Sequence, residues 1–544
     1  MDASVTLAAA ATACCVVLAI AAVFVLLSLP SPPQTCYSRR LWGFERVYVA
    51  AGEVGGSKVL VAVSLEVPDG ILPVADGHAT ESLRAAAAHV IQRQPMLAAE
   101  LVVRGDESWL AASTQPGEVD VAEVDDIERA IAEALSSPFS TLPAPQHGSG
   151  ARRICTVALR YAVGPDRRVS VLLQLHHAIC DGVSAIDGVM APILAAWKDR
   201  VTGGSPRGPD HIDGTSTDAL PMQLAPALPQ LARAAFFRRA AACFAVARSI
   251  YAEIALPRFA CIAAFAVPHV SLGPPVTRVL WRQLDAERVA ACRAACRAHG
   301  ITFNSLLHAA LAHAAERTGA VPAHTPLLLR CSVSLRLAQS PALPSTQVGY
   351  CVGNARSWLT VPSTGGDASL LAALWSTAAV DASQSALADR SPAAHAAWAL
   401  AKEILTPVLL GRARADRDGG RRAKPPKPPA TLLTSNVGDR SRAFAGLQGG
   451  HVRCQWRVVG LRFCSSVAAW RALEVTAVTC GEGGCGLGFA APSWLRRGGP
   501  HVDAAAEAAA ASADAAALWA QESIADEAIR ILRCVGGAHA TRLE

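Results

Sequence analysis

Asparagine is almost missing from this chain. Of 544 residues only Asn304, Asn354 and Asn436 are asparagine, and none begins an Asn-x-Ser/Thr sequon, which agrees with a cytosolic rather than a secreted chain. Charge is also sparse. Charged residues make up 17% against 51% hydrophobic, so a disordered chain is excluded. Aromatics are 5%, no basic stripe carries interleaved aromatics, and the net charge of +6 is mild; together these exclude a nucleic-acid-binding surface. The sixteen cysteines are scattered and form no Cys-x-x-Cys pair, so neither a disulfide framework nor a zinc site is indicated. Reduced, mostly buried thiols are the expectation.

Long apolar runs are rare, with one exception. Residues 5–29 carry no charge and are nearly all apolar. As a helix they would span roughly 37 Å, enough to cross a bilayer. A cleavable signal peptide is the rival, but Asp2 is the only charge before the run and no small-x-small cleavage site follows. Arg39 and Arg40 follow the run, and the positive-inside rule would hold that end in the cytoplasm. The expectation is a transmembrane anchor at 5–29 on an endomembrane such as the endoplasmic reticulum, with the catalytic region cytosolic. The remainder divides into a first lobe at 41–200, a linker and amphipathic helical segment at 201–275, and a second lobe at 276–535.

Periodicity predicts strands at 59–67, 152–161, 278–284, 327–335, 348–354, 431–437 and 473–480. It predicts helices at 80–92, 126–136, 183–198, 285–299 and 302–317, with a long closing helix at 504–532. Thr80 and Asp285 are the expected N-caps of two of them. His308 and His313 fall on the helix at 302–317 and read as packing residues. Strands alternating with helices over 544 residues indicate an α/β protein with room for two cores.

The chemistry concentrates at Val169–Gly182. An apolar strand ends in His176 and His177, then Asp181 and Gly182 make a turn before a helix. Imidazole titrates near neutrality, so it can take a proton from a hydroxyl. Adjacent histidines in extended chain point to opposite faces, so they cannot share one task. Asp181 cannot stay buried and charged without a partner, which calls for an arginine nearby. Gly182 allows a sharp turn or a close approach. A His-His-Asp metal hydrolase fits poorly, because the two rings diverge and no helical His-x-x-x-His pair supports them.

The pattern His-His-x-x-x-Asp-Gly after an apolar strand resembles the signature of the CoA-dependent acyltransferase superfamily. That group includes chloramphenicol acetyltransferase, condensation domains, plant BAHD enzymes, alcohol acetyltransferases and wax ester synthases. "RQPML" at 93–97, "VGYCVGN" at 348–354 and "TLLTSNV" at 431–437 resemble further segments of it. The BAHD Asp-Phe-Gly-Trp-Gly motif and the wax-synthase Pro-Leu-Trp motif are absent, so the branch stays open.

The resemblance implies two chloramphenicol acetyltransferase-like lobes, each a mixed sheet with helices on one side, and an active-site channel between them. It implies His177 as general base, with His176 and Asp181 structural and Gly182 part of the motif. Arg336 is the candidate partner of Asp181. Thr434, Ser435 and Asn436 are candidates for lining the acyl or oxyanion region. Acyl-CoA would be a co-substrate, an alcohol or amine the acceptor, with a lipid-like alcohol favoured by the anchor. No bound cofactor or metal and no nucleic acid are needed, and a monomer suffices. The alternative is a catalytically idle relative serving as a binding or scaffold protein.

Overall fold

The computed structural model describes residues 38–41, 45–46, 48–49, 57–68, 78–104, 107–111, 119–137, 142–143, 152–153, 157–164, 168–203, 260–262, 265, 276–336, 344–387, 430–448, 455–466, 472–493 and 504–540. The expected anchor at 5–29, most of the linker segment at 201–275 and the Arg/Lys-rich stretch at 411–429 lie outside them. The expectation of a membrane-anchored location is corrected: among the described residues no helix is long and apolar enough to cross a membrane.

The first half supplies β1 (Ser38–Arg40), β2 (Lys58–Glu66), α1 (His78–Gln92), β3 (Glu100–Arg104), β4 (Glu107–Ala111), β5 (Val119–Glu123), α2 (Ile127–Ser136), β6 (Leu142–Pro143), β7 (Arg152–Arg153), β8 (Val157–Val163) and β9 (Arg168–His176). After β9 come α3 (Gly182–Ser184), a π-turn at Ala185–Met190 and α4 (Ala191–Val201). The second half supplies β10 (Val276–Leu284), α5 (Ala286–Ala298), α6 (Phe303–Arg317), β11 (Pro326–Ser334), β12 (Val352–Thr360), α7 (Asp367–Leu387), β13 (Leu432–Asp439), α8 (Ala445–Gln448), β14 (Arg457–Ser465), β15 (Leu473–Thr479), β16 (Cys485–Ser493) and α9 (Ala504–Ala540).

These strands make two large mixed sheets and a small one. The first runs β14-β2-β9-β8-β5, with only the β5–β8 pair parallel. The second runs β10-β16-β15-β13-β11-β12, parallel at β13–β15 and β11–β13. The third, β1-β4-β3-β7-β6, is built from short strands. The predicted strand at 152–161 is therefore two strands in different sheets.

Alternation along each strand decides which layer it meets. Along β9, Val169, Val171, Leu173 and Leu175 join the core shared with α1 and α4. Leu172 faces the other way, with Leu60, Ala62 and the apolar stripe of α2. The first sheet is thus covered by helices on both faces, not on one as expected. In the second sheet Leu329, Leu432, Val475 and Phe489 pack with α5, α6, α7 and α9 in a separate core.

Local capping follows the chemistry. Asp126 accepts from Glu128 N–H, Asp285 from Arg288 N–H and Thr302 from Ser305 N–H. Thr80 is not a cap: α1 starts two residues earlier, and Thr80 Oγ1 lies 2.8 Å from the Tyr161 hydroxyl. The strand expected at 348–354 begins only at Val352, because residues 344–351 are spent closing the site. The helix expected at 183–198 is interrupted by the π-turn, and the closing helix runs on to Ala540.

β14 ties the halves together. It lies in the second half of the chain yet pairs along its length with β2 of the first sheet. It also presses so closely on β16 that a Cβ at Gly486 would stand 2.2 Å from the Leu461 carbonyl oxygen.

Candidate active site

The site starts where β9 ends. Lys58 is the register partner of His176 at the edge of the β2–β9 ladder. The Lys58 ammonium is buried and donates to the Ala134 and Ser137 carbonyls at the C-terminus of α2. Those carbonyls have no partner inside the helix, so a cation there satisfies them. Burial brings the Lys58 ammonium down to about 8. His176 shares this environment. It is buried, its Nδ1 accepts the Ala178 N–H at 3.1 Å, and burial beside His177 and Lys58 brings it down to about 3. It is a neutral packing group.

His177 leaves the strand and points elsewhere. Its N–H donates to the Ser57 carbonyl at 2.8 Å, and its Nδ1 lies 2.9 Å from the Cys180 carbonyl oxygen. A carbonyl can only accept, so Nδ1 carries the proton and Nε2 keeps its lone pair. The ring stacks on Tyr48, with centroids 4.3 Å apart at 26°, and meets the edge of Tyr350 at 5.6 Å. The residue is half-buried. Burial lowers its pKa, and the Cys180 carbonyl and the Asp181 charge only partly oppose this. The imidazole is therefore held neutral, in one tautomer and one orientation.

The aromatic clamp carried no signal in the sequence. Tyr48 sits in an otherwise unremarkable segment, and its backbone carbonyl accepts the Ser57 hydroxyl. Ser57 holds φ at +111°, a strained value for a residue with a side chain, while serving both Tyr48 and His177. Burial and the nearby Glu474 charge push the Tyr48 phenol up, and burial does the same to Tyr350, so neither supplies an anion.

Asp181 is buried and fully engaged. Its Oδ1 accepts Ser184 N–H at 2.8 Å, which makes it the N-cap of α3. Its Oδ2 accepts Arg336 Nη2 at 3.0 Å and Cys351 N–H at 3.0 Å. The Arg336 Nη groups also donate to the carbonyls of Pro344, Gln347 and Gly349. The pair thus fastens the histidine turn of the first half to a loop of the second. Gly182 is there for space: a Cβ would lie 2.6 Å from Phe463 on β14.

A cavity of about 550 Å³ opens between the sheets. Asp181, Gly182 and Val183 line one side, and Ser332 of β11 with Ser435 and Asn436 of β13 line the other. His177 is not among its lining residues; the cavity touches the same turn from the Asp181 side. Thr434 does not face it. Strand alternation turns Thr434 to the far face, where its Oγ1 lies 2.7 Å from His308 Nε2. Asn436 lines the cavity, with its Oδ1 accepting the Gly438 N–H. Among the described residues no cluster of His, Cys, Asp and Glu could hold a metal ion.

No protein-family profile and no curated protein matches the chain. Solved structures do. The trichothecene 15-O-acetyltransferase TRI3 from Fusarium sporotrichioides matches with a TM-score of 0.64 at 13% identity, covering 89% of this chain and 95% of that one. The epimerization domain from the third module of tyrocidine synthetase B matches at 0.55, with 14% identity and 93% and 98% coverage. The starter condensation domain of rhizomide synthetase RzmA, solved with C8-CoA, matches at 0.52, with 13% identity and 93% and 95% coverage. These neighbours differ in named activity, so the shared fold does not by itself name a reaction. The chain has the fold of these acetyltransferase and condensation domains.

Proposed function

We propose that the protein is an acyltransferase that moves an acyl group from acyl-CoA to the hydroxyl of an acceptor, with His177 as general base. The observation that carries this reading is the state of the His177 ring. Its Nδ1–H is committed to the Cys180 carbonyl, one face stacks on Tyr48 and Tyr350 meets it in an edge contact, so Nε2 is a fixed, neutral proton acceptor. In the reaction, Nε2 takes the hydroxyl proton as the acceptor oxygen attacks the thioester carbonyl. A tetrahedral oxyanion forms, collapses and expels CoA thiolate, which the imidazolium reprotonates. Atoms balance without a covalent enzyme intermediate.

Support from the comparisons is of two kinds. An O-acetyltransferase shares the fold, and a condensation domain of that fold was solved with C8-CoA. The cavity volume suits a small acceptor or the acyl-pantetheine arm, and Ser332, Ser435 and Asn436 offer it polar groups. The test is release of CoA thiol from acetyl-CoA and C8-CoA with panels of alcohols and amines. The reading expects acceptor-dependent release that His177→Ala removes. Release unchanged in His177→Ala would overturn the assignment of the base, and no release with any acceptor would favour the binding-protein alternative.

A further inference from the structure

The end of β13 brings a second guanidinium to the cavity. Arg440 follows directly after that strand and lines the cavity beside Ser435 and Asn436. Among the described residues of the lining, the charged ones are Asp181, Arg336 and Arg440. Asp181 and Arg336 are buried and paired at 3.0 Å, so their charges cancel. Arg440 is the remaining charge. Its backbone N–H donates to the Thr479 carbonyl at 2.8 Å, and its carbonyl accepts the Ala443 N–H at 3.0 Å. At the tip, Nη1 donates to Asp187 Oδ2 at 3.0 Å. Asp187 belongs to the π-turn of the first half and is not a lining residue, so it grips the guanidinium from outside the cavity. The Arg440 side chain is 21% exposed against 10% for Asp187, so the open side of the pair is the arginine's. A guanidinium offers five N–H donors on three nitrogens. Here Nε is buried without a partner, and Nη2 has none among the described residues.

We propose that Arg440 reads a carboxylate on the acceptor, so that the hydroxyl compound acylated at His177 is a hydroxy acid. This rests on the acyltransferase reading above and adds the class of acceptor to it. Arg440 is here a specificity residue and takes no part in the proton transfer.

Three features of the lining select that ligand. The first is sign: two guanidiniums and one carboxylate leave the lining positive. The second is the donor set. Asn436 spends its Oδ1 on the Gly438 N–H, which leaves Nδ2 as a donor, and Ser332 and Ser435 add hydroxyls. An anionic oxygen satisfies donors of both kinds, and a charge-assisted bond to a guanidinium is the strongest of them. The third is magnitude. Arg440 already shares its charge with Asp187, so it balances a single negative charge. The nucleotide end of CoA carries several, and Arg336 is spent on Asp181. A lone carboxylate is the better match. The cavity ends on the turn that carries His177, meeting it at Asp181 and Gly182. A molecule anchored at Arg440 by its acid group is therefore directed towards that turn.

The experiment is calorimetric titration of the full chain with a series of ω-hydroxy acids of increasing length and with their primary amides, which keep the shape and lose the charge. CoA and pantetheine are titrated in the same way, and CoA release from acetyl-CoA is followed with the same acids. The expectation is that the wild type binds the best acid at least about tenfold more tightly than its amide. Arg440→Gln should remove that preference. Arg440→Lys is the second variant should the first not fold: its one nitrogen is taken by Asp187, so the preference should also be largely lost. Equal affinity for acid and amide in the wild type, binding of neither, or a preference that survives in both variants would overturn the proposal. So would an Arg440 variant that weakens CoA but leaves pantetheine and the acids unchanged, since the anion read would then be a CoA phosphate. Acyl transfer without the acid preference removes this proposal alone. The preference without CoA release from any acid removes the acyltransferase reading, and the acceptor role with it.

Discussion

His177 is distinguished from His176 by one peptide unit and by everything around it. Both rings are neutral near pH 7, but His176 is sealed beneath α2 while His177 stands in an aromatic clamp between the sheets. The pKa direction has a kinetic consequence. A base whose folded pKa lies below 6.5 stays deprotonated as pH falls through 6.5 and loses its function only below that. The acid limb of kcat/KM should therefore lie below pH 6.5, and a limb centred above pH 7 would contradict the description. Asp181 gives a second prediction. Asp181→Asn leaves the Arg336 guanidinium buried without its counter-ion, so the variant should lose about 3–5 kcal/mol in urea unfolding. Replacing Arg336 by Met in the same chain should recover part of that loss, because no uncompensated charge then remains.

Elements add constraints that single residues do not carry. The π-turn, the short α3 and the loop at 344–351 meet at the Asp181 carboxylate, and Gly182 seats that turn against Phe463 of β14. Gly182→Ala should lower acyl-transfer kcat by about tenfold or more through displacement of the turn, while Gly365→Ala, where a Cβ meets nothing within 4 Å and the backbone is not left-handed, serves as a surface control. On β15, Glu474 is buried and hydrogen-bonded to Ser465 at 2.9 Å. Burial raises its carboxyl from 4.5 to about 7. Its folded pKa is the higher one, so its contribution to stability is complete below pH 4.5 and is lost as pH rises through 7. Thermal unfolding of Glu474→Gln should show a smaller drop between pH 5 and 8 than wild type; equal drops would remove Glu474 from the account.

The whole molecule is held by exchange between its halves. β14 completes the first sheet, and the Arg336–Asp181 pair bolts the second half to the histidine turn. Neither half then has a complete core alone. A fragment ending at residue 275 exposes the edge of β2, so it should be insoluble when expressed by itself. Co-expression with residues 276–544 should return both to solution as a complex, which size-exclusion chromatography would show. A stable, monomeric N-terminal fragment would mean that β14 is dispensable.

Local features of the site were readable from the chain before any coordinates. The apolar alternation of β9, the divergence of two adjacent histidines, the need of Asp181 for a guanidinium and the tight turn at Gly182 all follow from short-range stereochemistry and desolvation. Residue order also determined the alternation of strands and helices that makes the protein α/β. Tertiary structure alone decided the rest. Tyr48 and Tyr350 lie about three hundred positions apart, and nothing local marks either as a wall for one imidazole. Thr434 and Ser435 look interchangeable in sequence, yet the pleat of β13 sends one to His308 and the other to the cavity. The physical reason is the same throughout. Secondary structure answers to neighbours a few residues away, whereas a site between two sheets is assembled from contacts that exist only after the chain has closed over itself.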